Sequence, residues 1–185
     1  AAAAYATFAR GGTYIEPYSV TKIEYTETGD TIKVTPKKIT AMSEETAYMI
    51  SMILKHAVTS NIIGAGSVSG TDIAAKTGTS TVDSALKKEF KGIIGDSWEI
   101  AFSPDYAIAT WYGYPQRTKE YYLKGTEGGK ARREITKFLV TRIMKKNSRF
   151  NRPSGIVEAE IELETDPLEL ASPATPKELR SVEYF

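Results

Sequence analysis

A chain of 185 residues, 41% hydrophobic and with a formal net charge of +1, is about one domain's worth of sequence. It has enough apolar material for a core and no global charge bias toward nucleic acid. The absence of cysteine removes disulfides, thiolate nucleophiles and Cys-based metal sites. With the single histidine His56, no metal site and no cofactor are expected, and acyl-transfer chemistry would run on Lys, Ser, Thr, Tyr or carboxylates.

In chain order, residues 1–10 are rich in helix formers and run into Gly11-Gly12, which predicts the end of a helix closed by a glycine C-cap. The chain opens inside this helix without an N-cap residue, from which we expect a segment that starts mid-domain. Residues 18–25 and 31–35, joined across Glu27-Thr28-Gly29-Asp30, predict a β-hairpin. Ser43 caps a helix over 43–59 with Glu44 and Glu45 in its first turn and Lys55 and His56 in its last. Its expected apolar face is Ala47, Ile50, Ile53, Leu54, Ala57 and Val58, and His56 is read as a structural residue near the C-terminus.

A Gly/Ser-rich loop is expected over 60–70, a strand over 71–79, and a polar loop over 80–96. Strands over 97–103 and 106–114 meet across Ser103-Pro104-Asp105 as antiparallel neighbours. After Gly128-Gly129 a helix over 131–146 is expected to bury Ile135, Phe138, Leu139 and Met144 or Ile143. No apolar run approaches the ~20 residues that span a bilayer. Charge shifts near 150–156: residues 156–185 hold eight acidic against two basic residues, net −6, which leaves +7 before them. We therefore expect two regions, 1–152 and an acidic, Pro-containing extension over 153–185. In the extension Val157 to Thr165 alternates like a strand with an acidic face, and Pro167, Pro173 and Pro176 mark a linker.

The candidate site is Lys76-Thr77-Gly78-Thr79-Ser80. On a strand, Lys76 and Gly78 share one face with Ala74, and Thr77 and Thr79 share the other. Glycine lets a ligand backbone approach, Lys76 sets a positive charge beside that path, and the hydroxyls of Thr77, Thr79 and Ser80 offer donors to a carboxylate. A backbone N–H at Thr79 could face a developing oxyanion. The composite suits an extended, anionic, peptide-like ligand added along a strand edge.

These residues lie among longer ordered stretches: A-A-Y-A-T-F-A-R-G-G at 3–12, Pro17 to Ile23, S-E-E-T-A-Y-M-I at 43–50, A-A-K-T-G-T-S at 74–80, D-S-W-E-I-A-F-S-P-D-Y at 96–106, A-T-W-Y-G-Y at 109–114 and S-V-E-Y-F at 181–185. In this order the chain resembles the C-terminal part of the transpeptidase domain of class A penicillin-binding proteins. The resemblance implies an α+β fold, an antiparallel β-sheet flanked by helices, of which this chain is the C-terminal portion. It implies serine DD-transpeptidation of peptidoglycan stem peptides within a bifunctional glycosyltransferase-transpeptidase, with β-lactam antibiotics as mimics of the substrate. The implied place is the outer face of the bacterial cytoplasmic membrane, with an anchor outside this chain. A β-lactam or peptidoglycan sensor, or a non-catalytic wall-binding domain, is the alternative.

Of the family's three motifs, Ser-x-x-Lys, Ser-x-Asn and Lys-Thr/Ser-Gly, the third matches at Lys76. By resemblance Lys76 helps bind the substrate carboxylate, Thr77 and Thr79 supply hydroxyl contacts, and Thr79 N–H forms half the oxyanion hole. Ser19 and Ser84 each begin a Ser-x-x-Lys, but Ser19 falls in a predicted strand and Ser84 follows Lys-Thr-Gly in the wrong order. The nucleophile and second motif are expected in the N-terminal remainder of the protein, and the chain alone is expected to be inactive. Two departures from the family stand out: Glu99 where a Trp-Phe pair is usual, and Ala101 where glycine is common. Trp98 and Trp111 are read as packing residues.

Overall fold

The computed structural model describes residues 1–60, 63–116, 118 and 120–185, and the chain divides into two compact units, Ala1–Phe150 and Asn151–Phe185. Two residues of the loop expected over 60–70, at 61 and 62, lie outside the described residues. The first unit is α+β, with small antiparallel sheets flanked by helices. It begins with α1 (Ala2–Ala9) and β1 (Thr13–Ile15). The predicted glycine cap is there: Gly12 N–H donates to Thr7 O at 2.9 Å, with Gly11 and Gly12 both at positive φ. A Cβ on Gly12 would lie 2.2 Å from Met42 O, so this turn also requires glycine for space.

The expected hairpin forms as β2 (Lys22–Glu24) and β3 (Thr31–Lys33), shorter than its alternation suggested. A pairing the sequence did not announce follows, β4 (Lys38–Thr40) against β1. Helix α2 (Glu44–Thr59) starts at Ser43, whose Oγ accepts from Thr46 N–H at 3.2 Å. Of the expected stripe Ala47 is buried and Ala57 and Val58 pack against the core, but the buried side adds Tyr48, Ser51 and Met52, and Ile53 is exposed. Ser51 fits the buried side because its Oγ donates to Ala47 O within the helix, leaving no orphan hydroxyl.

The central sheet has the order β5-β7-β8, with β5 (Ala74–Thr79), β7 (Asp96–Phe102) and β8 (Ala107–Gly113) all antiparallel. The strand expected over 71–79 begins only at Ala74. The polar loop expected over 80–96 holds α3 (Ser84–Glu89), capped by Asp83, and β6 (Ile93–Ile94), which pairs with β9 (Leu123–Lys124). Both are too short to show a period in sequence.

Helix α4 (Gly125–Ile143) starts before the glycine pair that was read as preceding it. Gly128 sits in the helix because a Cβ there would come within 2.7 Å of Leu123 Cδ2 and 3.1 Å of Ser97 Cβ; it is the contact point of helix on sheet. The expected buried set is corrected in part. Ile135 and Phe138 are exposed; of Met144 and Ile143, offered as alternatives, Met144 is buried and Ile143 exposed, and Met144 joins Gly128, Thr136 and Val140 in a buried ridge at spacing four. A polar sheet face met by small and hydroxyl residues escapes a reading that tracks apolar periodicity. The core joins Ala75 and Ala101 of the sheet to Val140, Met144, Ile63, Ala65 and Ile73. On the opposite face Phe102, fully buried, meets Tyr5 and Phe8 of α1 and Phe150; burial of such a side chain stabilises by about 1.5–3 kcal/mol.

The second unit is a three-stranded antiparallel sheet in the order β11-β10-β12, with β10 (Glu158–Glu162), β11 (Glu169–Leu170) and β12 (Arg180–Tyr184). The proline-marked stretch read as a linker is therefore folded. Arg180 holds it, donating to Thr175 O, Ser172 O and Glu160. Among the described residues no helix is long and apolar enough to cross a membrane.

Candidate functional site

Strand β5 is fixed at both ends. Just before it, buried Asp72 accepts from Lys55 Nζ at 2.9 Å, Arg149 at 3.3 Å and Phe150 N–H at 3.1 Å. Just after it, Ser80 N–H donates to Asp96 O at 3.3 Å, Ser80 O accepts from Gly95 N–H at 2.9 Å, and Ser80 Oγ donates to Asp96 Oδ2 at 2.5 Å. Asp96 Oδ1 also accepts from Trp111 Nε1 at 3.0 Å.

This anchoring sets which backbone groups face outward. Hydrogen-bonding residues alternate along an antiparallel strand. With Ser80 bonded inward to β7, its even-numbered neighbours Gly78 and Lys76 point the same way in the ladder. The N–H and C=O groups of Thr77 and Thr79 then point away from β7, toward the edge of β5 that has no strand beside it among the described residues. The position of Lys76 agrees: its Nζ turns along the strand and donates to Thr77 O at 2.8 Å. This edge presents one cation, two outward amides and a glycine to an extended ligand.

Side chains divide as alternation requires. Lys76 pairs in register with Ile100 and Gly78 with Trp98, so these share a face with Trp111, the partner of Trp98. The two indole rings lie 6.3 Å apart and tilted by 50°, and Trp98 Cβ is 3.3 Å from where a Cβ on Gly78 would sit. Here the tryptophans pack on the sheet surface and on each other. Thr77, half-buried, and Thr79, exposed, share the other face with the buried Glu99 and Ser97, the side on which α4 packs. Five residues named from sequence are thus consecutive on one strand end but do not share one surface. Ser80 differs from the other four, since its N–H, C=O and hydroxyl hydrogen all serve the join to β7.

Sequence reasoning singled out Glu99 only as a departure and did not name Arg132. Glu99 is 1% exposed, and Arg132 Nε lies 3.6 Å from its Oε2. Burial raises the Glu99 carboxyl above its ordinary range, and Arg132 and Arg133 pull it part of the way back. Arg132 Nη1 also donates to Ser97 Oγ at 3.1 Å and to Thr79 Oγ1 at 3.4 Å. A buried charge pair between a strand and a helix three elements apart leaves no periodic trace in sequence.

The refused serines have different settings. Ser19 is exposed in a bend, and no helix starts there. Ser84 does open a helix, α3, with Lys87 in its last turn, so its local geometry suits Ser-x-x-Lys better than the loop expected there. Both side chains are exposed. His56 is exposed, and its carbonyl accepts from Ser60 at the end of α2, a structural role. Among the described residues no group of three or more metal-ligating side chains occurs.

A family profile described as the penicillin binding protein transpeptidase domain matches residues 1–141. The chain is 34% identical to penicillin-binding protein 1A/1B of Bacillus subtilis (strain 168), an alignment that takes in 100% of this chain and 20% of that protein. It is 31% identical to penicillin-binding protein 1A of Streptococcus oralis over 63% of this chain and 19% of that one. The chain thus spans about a fifth of the length of these curated relatives. Among solved structures, the D,D-transpeptidase domain of a peptidoglycan glycosyltransferase from Eggerthella lenta superposes with a TM-score of 0.52 at 24% identity, over 75% of this chain and 30% of that one. Penicillin-binding protein A from Mycobacterium tuberculosis, as a ceftriaxone acyl-enzyme complex, gives 0.55 at 20% identity, over 76% and 31%. These two likenesses establish the fold.

Proposed function

Because the chain belongs to the penicillin-binding protein transpeptidase domain family, we propose that the Lys76–Thr79 strand is one wall of a serine DD-transpeptidase site that cross-links peptidoglycan. In this reading a serine on another segment of the protein adds to the carbonyl of the penultimate D-Ala of a stem peptide. The terminal D-Ala leaves as a free amino acid, and an amine of a neighbouring stem peptide takes the acyl group. The stem peptide lies along the open edge of β5. Thr79 N–H donates to the oxyanion, Lys76 and the hydroxyls of Thr77 and Thr79 serve the substrate carboxylate, Gly78 leaves room for the ligand backbone, and Ser80 holds the strand end to Asp96. β-Lactams occupy the same edge and acylate the same serine. The site works on the outer face of the bacterial cytoplasmic membrane, where its substrate is.

The observation that carries this reading is the edge itself: a Lys-Thr-Gly-Thr strand fixed at both ends, with the Thr77 and Thr79 backbone groups turned outward and Lys76 beside them. Preorganised donors of this kind are the largest single contribution to acyl transfer in many enzymes. The test is acylation of the full-length protein by a fluorescent penicillin. Lys76→Ala is expected to slow it by about 100-fold or more; an unchanged rate would show that the site lies elsewhere.

A further inference from the structure

We propose that Glu99 and Arg132 are a positioning pair for Thr79: Glu99 holds the Arg132 guanidinium beneath the sheet, and the guanidinium holds the Thr79 side chain from the covered face, fixing the Thr79 N–H at the open edge. The inference rests on the reading of Thr79 as an oxyanion donor.

Three observations carry it. First, the guanidinium bridges strands: from α4 its Nη1 reaches Ser97 on β7 and Thr79 on β5 together. It therefore touches the residue whose amide orientation matters, from the α4 side of the sheet. Second, the pair is poorly explained as a source of stability. Glu99 Oε1 and Arg132 Nε make no hydrogen bond, and the nearest charge contact between them is 3.6 Å. A buried ion pair with orphan atoms is commonly no better for stability than apolar residues of the same volume. Third, the position suits orientation. Glu99 stands opposite Thr77 in register, one residue from the partner of Gly78, and its charge faces the Arg132 guanidinium, which reaches the strand end. Glu99 and Arg132 touch no ligand in this scheme and act through Thr79, so the expected signature is a slower acylation step with unchanged initial binding.

The test uses the full-length protein and a fluorescent penicillin, separating the initial binding constant from the acylation rate constant. Melting temperature is measured for every variant. Glu99→Gln and Arg132→Met are each expected to lower the acylation rate constant by about tenfold with binding within twofold, and the double variant to be no slower than Arg132→Met alone. Arg132→Lys, which keeps the charge but not the fork, is expected to remain slow while folding normally. If Glu99→Gln does not fold, Arg132→Lys decides the matter. Wild-type acylation by Glu99→Gln or by Arg132→Lys would overturn the proposal, as would losses that multiply in the double variant. Lys76→Ala is run alongside. If it is impaired while Glu99→Gln is not, the pair alone is refuted; if Lys76→Ala is itself unaffected, the reading of the site fails and the pair proposal falls with it.

Discussion

On the side of the β5-β7-β8 sheet covered by α4, Ser97, Glu99, Thr110 and Thr136 are buried, and the hydroxyls and charges there meet one another: Thr136 with Thr110 at 2.8 Å, Arg132 with Ser97 and Glu99. On the other side and along the β5 edge, Lys76 is exposed, Trp98 and Trp111 lie on the sheet surface, and the amides of Thr77 and Thr79 point outward. The strands are the same, so the difference comes from what each face meets. A covered polar face must satisfy its groups internally, because an orphan there costs about 1–3 kcal/mol. An open edge can keep groups free for a ligand. Outside the Glu99–Arg132 pair, substitutions on the covered face should therefore change stability, and substitutions on the open edge should change chemistry while leaving stability alone.

The largest effect on stability is expected at the closest contact. Gly128→Val forces a side chain into Leu123 and Ser97 and should destabilise the protein by about 1–3 kcal/mol in urea unfolding. A change under about 0.5 kcal/mol would mean that α4 can move off the sheet, and the contrast between faces would weaken. Thr136→Val leaves the Thr110 hydroxyl without its partner and should cost about 1–2 kcal/mol in the same assay.

Glu99 gives a test in pH. Its carboxyl is raised above 4.5 in the folded protein, so the folded state binds its proton more tightly than the unfolded chain. Its contribution to stability is complete below pH 4.5 and is lost as pH rises through the raised folded value. The stability of wild type relative to Glu99→Gln should fall over that window and then level off, and a difference that grows with pH would contradict the sign. The smallest expected effect lies on the open edge. Lys76→Ala, for all its predicted damage to acylation, should leave unfolding free energy within about 0.5 kcal/mol. A large destabilisation would make Lys76 a structural residue and erase the contrast.

Much of the open edge was legible in the sequence, and much of the covered face was not. Lys76, Thr77, Gly78 and Thr79 are contiguous, and strand alternation alone divides them between faces as the structure does. The hairpin signals around 97–114 fixed the pairing of β7 with β8, and Ser43 marked the start of α2. The covered face resisted because its contacts join distant positions and run on hydroxyls, glycine and charge. Apolar counting placed Ile135 and Phe138 inside, whereas the helix buries Gly128, Thr136 and Val140. Arg132 carried no local signal; its role needs Ser97 and Thr79 on two other elements. The acidic segment after residue 150 was read as strand plus linker because prolines break periodicity, but Arg180 ties those turns into a sheet.

The most direct test of the account is the location of the acylated residue. Full-length protein treated with penicillin, digested and mapped by mass spectrometry should carry its adduct on a serine outside these 185 residues. The 185-residue chain alone should carry none. A stoichiometric adduct on Ser84, which opens a helix with Lys87 one turn on, or on Ser19, would contradict the claim that the Lys76–Thr79 strand serves a nucleophile supplied from elsewhere in the protein.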